Sequence, residues 1–319
     1  MKPHVAFIIL ALALSGSVLS AADSSGAPAP AKKRILFFTK SSGYEHSTIK
    51  DPAKPFTPGP GSAVPGLAFW VAKAIGNSNN IEFVFSKDGS LFTPEYLAQF
   101  DGYFFITTGD LTRVGTDGNP AMTPAGKDAL LQAVSVGKGF IGVHCASDTF
   151  HTNGGEKMQA QWVDDGDNAD PYIKMLGGEF ISHGAQQPSH LVAVDPAFPG
   201  ISAVAPDNHP TEEWYSMKDF PKDLHVLLLQ DTSGMKGPQY ARSSYPSTWA
   251  HMFGKGRVFY TNLGHRDDMW TSTMFQSVLT GGINWAVGNV DADVTPNLAQ
   301  VAPQANVLPA KPGPDPAKK

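Results

Sequence analysis

Short apolar runs alternate with helix-patterned segments through the first half of the chain. Arg34-Ile-Leu-Phe-Phe-Thr39, Ile81-Glu-Phe-Val-Phe85, Asp101-Gly-Tyr-Phe-Phe-Ile-Thr107 and Phe140 to Val143 are each bounded by polar or turn residues. That is the pattern of strands buried on both faces. Between them, Leu67, Trp70, Val71 and Ile75 recur at helical spacing. Thr93-Pro94-Glu95 and Thr123-Pro124 carry a helix-start signal, a threonine N-cap followed by proline at the first helical position. The second of these helices is expected to run to about Val136. This alternation predicts an α/β fold with a doubly wound, mostly parallel sheet.

The second half changes character. Runs at 189–194, 211–217, 224–230, 247–253 and 257–262 read as strands without intervening helices. They predict an antiparallel or mixed extension of the sheet. Thr271 to Val287 reads as a final amphipathic helix carrying Met274, Val278, Ile283 and Trp285. Asp51 to Pro65 is a Pro/Gly insertion, and His151 to Asp170 a polar loop or lid.

The ends of the chain do not share this patterning. Lys2, an apolar stretch from Val5 to Leu14 and small residues ending Ser20-Ala21-Ala22 read as a secretory signal peptide cleaved near Ala22. The expected destination is the periplasm or the exterior. The apolar stretch is too short to span a bilayer, and no later run is long enough, so the protein is not expected to be membrane-embedded. Residues 23–33 read as a disordered spacer and 290–319 as a disordered Pro/Ala-rich tail. Residues 34–289 remain as a single α/β domain.

One cysteine in an exported chain leaves no intramolecular disulfide, so stability must come from the core. The formal net charge is −5 and the lysines are scattered. With no basic stripe, nucleic acid is not an expected partner. The one Gly-x-Gly-x-x-Gly spacing, Gly137-Lys-Gly-Phe-Ile-Gly142, runs into the fourth apolar run instead of following a strand into a helix, and no Walker loop occurs, which argues against nucleotide cofactors. The oligomeric state is not readable.

Candidate chemistry gathers where strands end: Gly43-Tyr-Glu-His46, Thr107-Thr-Gly-Asp110, Gly142-Val-His-Cys145, Phe180-Ile-Ser-His183, Glu212-Glu-Trp-Tyr215, Trp249-Ala-His251 and Asn262-Leu-Gly-His265-Arg266. In a doubly wound sheet such segments converge at one edge. A pocket built from His46, His144, His183, Glu213, His251 and His265 is therefore expected. Histidine and glutamate suit proton transfer near neutral pH, and they admit a divalent metal such as Zn, Mn or Fe. Any one histidine at a strand end is most often structural. Glu213 and Tyr215 share a face of a regular strand, opposite Glu212 and Trp214, so only one of the two glutamates can face the pocket. Asp164, Asp165, Asp167 and Asp170 lack the glycine and terminal glutamate of an EF-hand and read as a solvated loop.

These segments, in this order, resemble the ThuA-like (trehalose utilisation) family of the class I glutamine amidotransferase-like superfamily, whose architecture is flavodoxin-like. The resemblance rests on Ile35-Leu-Phe-Phe-Thr-Lys with Gly43-Tyr-Glu-His46, Gly139-Phe-Ile-Gly-Val-His-Cys-Ala-Ser-Asp-Thr149, Leu176-Gly-Gly-Glu-Phe-Ile-Ser-His183, Glu213-Trp-Tyr215, Pro246-Ser-Thr-Trp-Ala-His251, Gly256 to His265 and Gly282-Ile-Asn-Trp-Ala-Val-Gly288. It covers roughly residues 33–289. An amidotransferase carries Gly-x-Cys-x-Gly at the elbow after the fourth strand. Here His144 takes the cysteine's place and Cys145 falls one later, while Arg266-Asp267 replaces the usual Pro-Glu after the histidine. The amidotransferase triad is thus not reproduced. The chain departs from the ThuA-like pattern at Tyr245-Pro246, in place of His-Pro, and at Glu212-Glu213, in place of Asp-Glu.

The resemblance implies processing of a disaccharide or keto-sugar, with a small-molecule carbohydrate as partner. The expected chemistry is isomerisation, elimination or hydrolysis, with metal assistance compatible. His144, Glu213 and His265 are the expected catalytic residues. His46, Tyr44, Asp110, Tyr215, Trp249 and Arg266 are expected to bind substrate, with Trp214 a further stacking candidate, and His183 and His251 are the expected metal ligands. Two other functions compete: a non-catalytic sugar-binding protein, and a cysteine hydrolase using Cys145 with His265.

Overall fold

The computed structural model describes residues 31–50, 66–152 and 162–311. The segment expected to be a signal peptide, the Pro/Gly insertion, most of the 23–33 segment and part of the His151 to Asp170 loop lie outside these residues.

The apolar runs become strands β1 (Lys33–Phe38), β2 (Ile81–Ser86), β3 (Gly102–Phe105) and β4 (Gly139–Val143). They pair in parallel in the order β2-β1-β3-β4. Ile35, Leu36, Phe37 and Phe38 are all fully buried, as a strand covered on both faces requires. Helices α1 (Leu67–Ser78), α2 (Pro94–Leu97) and α3 (Pro124–Ser135) follow the strands as the pattern predicts. The Thr93 hydroxyl accepts from Tyr96 N, and the Thr123 hydroxyl accepts from Gly126 N. These are the caps read from the sequence.

Beyond β4 the chain forms helix α4 (Pro171–Leu176) and strands β5 (Glu179–His183), β6 (Gln187–Pro188), β7 (Leu191–Ala193), β8 (Thr211–Glu212), β9 (Tyr215–Lys218), β10 (His225–Gln230), β11 (Tyr245–Phe253) and β12 (Gly256–Thr261). The main sheet reads β2-β1-β3-β4-β12-β11-β10-β7. Strand β12 lies parallel to β4, whereas β11, β10 and β7 add antiparallel. The run at 257–262 is therefore the fifth parallel strand, entered through a hairpin from β11 rather than through a helix. The order β2-β1-β3-β4-β12 is the flavodoxin-like one. Two small antiparallel pairs, β5-β9 and β6-β8, stand apart from the main sheet.

The expected long last helix is divided into α5 (Asp267–Thr271) and α6 (Thr273–Ala286). Ser272 separates them because its hydroxyl caps Phe275 N and starts a new helix. A further helix, α7 (Leu298–Val301), lies in the segment expected to be a disordered tail. As far as residue 311 that expectation is corrected. Leu298, Ala302 and Ala305 are buried, and the Asn297 amide both accepts from Val226 N and donates to Val226 O. Asn306 does the same for Phe220. Two asparagines thus satisfy backbone groups of the core, a role that composition does not disclose.

Candidate functional site

Four segments carry imidazoles to one place. His46 follows β1, His144 follows β4, His183 ends β5, and His265 follows β12. The first, second and fourth lie beyond carboxyl ends of parallel strands, where such sheets bind ligands.

His144 occupies the tip of the elbow. Its φ is +47°, in the left-handed region that a non-glycine residue enters at a cost of about 1–3 kcal/mol. The chain turns there into a short 3-10 helix, His144–Asp148. The ring and the backbone of His144 are each held by a hydrogen bond. Its Nδ1 donates to Asn262 O at 2.9 Å, and its own carbonyl accepts from Tyr260 Oη at 2.7 Å. With Nδ1 carrying the proton, Nε2 presents a lone pair, and that atom is buried without a hydrogen-bond partner. Cys145 is fully buried, and burial pushes its thiol well up. The register read from the sequence thus places an imidazole, not a thiol, at the tip.

Glu213 lies in the link between β8 and β9, outside regular strand. Its Oε2 is 2.9 Å from His265 Nδ1 and 3.5 Å from His144 Nε2, while its Oε1 is 3.3 Å from His183 Nδ1. Burial by itself would raise this carboxyl, but contact with the His144 and His265 imidazoles outweighs it and holds the group well below the usual carboxylate range. Glu212 is the structural member of the pair. Fully buried, it accepts from Glu213 N at 2.9 Å and from Gly264 N at 3.0 Å, which ties the Glu213 segment to the His265 loop. Gly264 has φ +116°, a conformation that glycine adopts freely and that sets the direction of the next residue, His265.

His46 completes the group. Its ring is buried, and Nδ1 has no hydrogen-bond partner. Burial first, then the neighbouring His144 and His265, push it well below the ordinary histidine range. The loop that carries it is anchored by a buried ion pair between Glu45 and Lys87 at 2.6 Å. The three ring centroids form a nearly equilateral triangle: 5.1 Å for His46–His144, 5.2 Å for His46–His265 and 5.2 Å for His144–His265. The rings stand at 88°, 85° and 71° to one another. One ligating atom from each of His46, His144, His265 and Glu213 falls within 4.8 Å of all the others, so this group can hold a metal ion.

Tyr215 lines the same site. Its ring lies 4.1 Å from that of His144, and its phenol oxygen is 3.4 Å from His46 Nε2. It faces His183 across the β5-β9 pair. Tyr44 is 67% exposed, its ring edge-on to His46 at 5.0 Å, so a hydrophobic face is open beside the imidazoles.

Other expected site residues fall elsewhere. His251, expected as a metal ligand, donates through Nε2 to Met175 O at 2.8 Å and packs with Trp249 beside Gly177. Trp249 is fully buried, its Nε1 donating to Leu176 O, and Trp214 is fully buried, donating to Gln187 O. Neither can stack on a sugar, because both faces of each ring are committed to the core. Asp110 caps Thr112 and lines a cavity of about 360 Å³ with Lys127, Phe150, His151 and Asp170, none of them a member of the imidazole group. Arg266 is engaged by Asp268 through two 2.8 Å contacts and by Gln186. Within the acidic loop, Asp165 pairs with Lys218, and Asp170 caps α4 and pairs with Lys127, so these two carboxylates are structural rather than solvated.

Glu212, Asn262 and Tyr260 were not legible as site residues. Each acts through hydrogen bonds between residues far apart in the chain, and only the Glu212-Glu213 pair and the place of Asn262 at the head of the Asn-Leu-Gly-His segment hinted at them.

Residues 34–286 match the family model ThuA, described as trehalose utilisation. A ThuA-like protein from Bacteroides uniformis has a similar structure, with a TM-score of 0.57 at 19% identity, covering 86% of this chain and 99% of that one. A second, from Parabacteroides merdae, gives 0.50 at 18% identity, covering 82% and 93%. No curated protein shows a significant match to the chain. Among the described residues, no helix is long and apolar enough to cross a membrane.

Proposed function

The chain belongs to the ThuA (trehalose utilisation) family, and from that premise we propose that it is an exported carbohydrate-processing protein acting on a disaccharide or keto-sugar through His144, His265 and Glu213. The observation that carries this reading is the contact of one ionised, half-enclosed carboxylate with imidazoles delivered by three separate segments. An imidazole with a free lone pair can take a proton from the carbon beside a sugar carbonyl. A second imidazole, itself protonated, can deliver its own proton to the departing or rearranged oxygen, and the two rings then exchange protons with solvent. Glu213, held ionised, stabilises whichever ring carries the proton. A divalent metal held by these imidazoles would instead occupy their lone pairs, and would supply Lewis acidity toward the carbonyl in place of imidazole acid–base chemistry.

Tyr44 supports a carbohydrate as occupant, because its exposed ring offers a stacking face next to His46. The same feature suits a non-catalytic sugar-binding protein. Nothing supports the cysteine hydrolase, since the only thiol is buried and held protonated.

The test is incubation of the mature chain with a panel of disaccharides and 3-keto-disaccharides, followed by chromatography, alongside calorimetry. Turnover that disappears in Glu213→Gln supports the enzyme. Heat of binding without turnover moves the assignment to the sugar-binding protein, and neither binding nor turnover across the panel sinks both.

A further inference from the structure

Three imidazoles with converging, buried nitrogens call for a cation. His144 Nε2 and His46 Nδ1 are buried without a hydrogen-bond partner, and the buried His265 Nδ1 has the Glu213 carboxylate 2.9 Å away. Leaving such a polar atom unsatisfied costs about 1–3 kcal/mol. Nitrogen lone pairs brought this close also repel, and a cation shared by them would relieve that repulsion.

The ring triangle specifies what that is. With metal–nitrogen bonds of ~2.0–2.1 Å, imidazole centroids stand about 3.2 Å from the ion, so tetrahedral ligation separates them by about 5.2 Å and an octahedral face by only about 4.5 Å. The observed separations are 5.1, 5.2 and 5.2 Å. The near-perpendicular ring planes let three imidazoles approach one point without collision. Glu213 Oε2 faces the same point, 2.9 Å from His265 Nδ1 and 3.5 Å from His144 Nε2. The Nδ1 of His144 donates to Asn262 O, the outer hydrogen bond that orients a ligating imidazole.

His183 differs on each count. It is 44% exposed, and its Nδ1 is already engaged, donating to Gly184 O at 3.0 Å and lying 3.3 Å from Glu213 Oε1. Glu213 therefore spans two environments, with Oε2 toward the buried trio and Oε1 toward the exposed ring.

We propose that His46, His144 and His265, with Glu213, form a four-coordinate site for a zinc-class ion, and that His183 is not a ligand. The proposal rests on the function proposed above only in taking this cluster as the reactive site, where an ion with four protein ligands would meet a substrate by expanding to five-coordinate. It does not depend on a sugar being the substrate.

The test uses the full mature chain without an affinity tag. Zinc is measured by elemental analysis after dialysis, and the apo protein is titrated with cobalt(II) and followed by visible absorption. About one ion per chain and the intense bands of tetrahedral cobalt are expected. His265→Asn, Glu213→Gln and His144→Asn should each hold the ion at least about tenfold more weakly. Asparagine at position 144 tolerates the left-handed backbone, and circular dichroism checks the fold of each variant. His183→Asn should keep full metal content. Wild-type protein that takes up neither zinc nor cobalt overturns the site. Weak octahedral cobalt bands overturn the coordination class, and metal loss in His183→Asn equal to that in His265→Asn overturns the division of roles. A metal-loaded protein inert to every sugar would count against the carbohydrate reading and leave this one standing. Sugar turnover by metal-free protein would do the reverse.

Discussion

Glu213 Oε2 lies 2.9 Å from His265 Nδ1, although the first residue leaves a two-residue edge strand and the second follows the fifth parallel strand of the main sheet. Glu212 makes the pairing possible by accepting hydrogen bonds from Glu213 N and Gly264 N. Two consecutive glutamates thus divide into a working carboxylate and the clamp that positions it.

Glu213→Gln keeps the shape of the side chain and removes its charge. Turnover of the identified sugar should fall by about 10²-fold or more, with the melting temperature close to wild type. Glu212→Gln should behave differently, lowering the melting temperature as well, because it weakens the clamp and places an amide NH₂ opposite a backbone donor. Thermal melts and steady-state kinetics on both variants check this, and matching behaviour would refute the division.

His151 governs stability on the alkaline side. It sits between Asp148 at 2.5 Å and Glu179 at 2.9 Å. Burial opposes its charge, but the two carboxylates prevail and raise its pKa to about 9. A histidine with a raised folded pKa contributes stability that is fully present below the unfolded value of about 6.5 and lost as pH rises through the folded value. Stability should therefore decline between about pH 6.5 and 9, by roughly 3 kcal/mol at most from this group. His151→Gln should flatten that part of the profile in urea melts across the window. An unchanged slope would count against the assignment.

Cys145 should be inert in the native protein. Iodoacetamide at neutral pH should label it only after denaturation, and Cys145→Ala should retain the activity of the wild type. Rapid native labelling with loss of activity would revive a thiol mechanism.

Trp249 belongs to the core, its ring stacked on Tyr260 at 4.3 Å and its nitrogen donating to Leu176 O. Trp249→Ala should cost about 3–5 kcal/mol, measured by chemical denaturation. Trp249→Phe should leave the KM for the sugar unchanged, which a stacking residue would not.

The C-terminal segment is part of the fold. A chain ending at residue 290 loses buried Leu298 and the Asn297 and Asn306 contacts to the backbone of β10 and Phe220. Its stability should drop by at least about 2 kcal/mol, read from the urea midpoint. A midpoint equal to wild type would restore the view of this segment as a tail.

Local patterning was sufficient for much of the fold. The apolar run Ile35 to Phe38 could only be a strand covered on both faces. The threonine–proline pairs at 93–94 and 123–124 mark helix starts, because capping and a fixed proline φ act within one turn. The elbow was legible for the same reason: moving a side chain by one residue at a tight turn redirects it, so His144 rather than Cys145 had to take the tip. Trp249 and His251 show where that reasoning stops. Their alternation correctly gave them a shared face, but period-two patterning does not say which face of a strand looks toward the site. Here that face packs on Gly177. Glu213 marks a second limit, because it lies between strands, where alternation has no force.

The sequence by itself determined the order of elements, the family and the segments that could carry chemistry, since these depend on local sterics, capping and the burial of apolar runs. Tertiary structure alone decided which histidines meet. The flavodoxin-like strand order brings the ends of β1, β4 and β12 to one edge. The β5-β9 pair then sets His183 opposite Tyr215, and the Glu212 clamp turns Glu213 toward them. Those distances depend on contacts between residues far apart in the chain, to which no periodicity is sensitive.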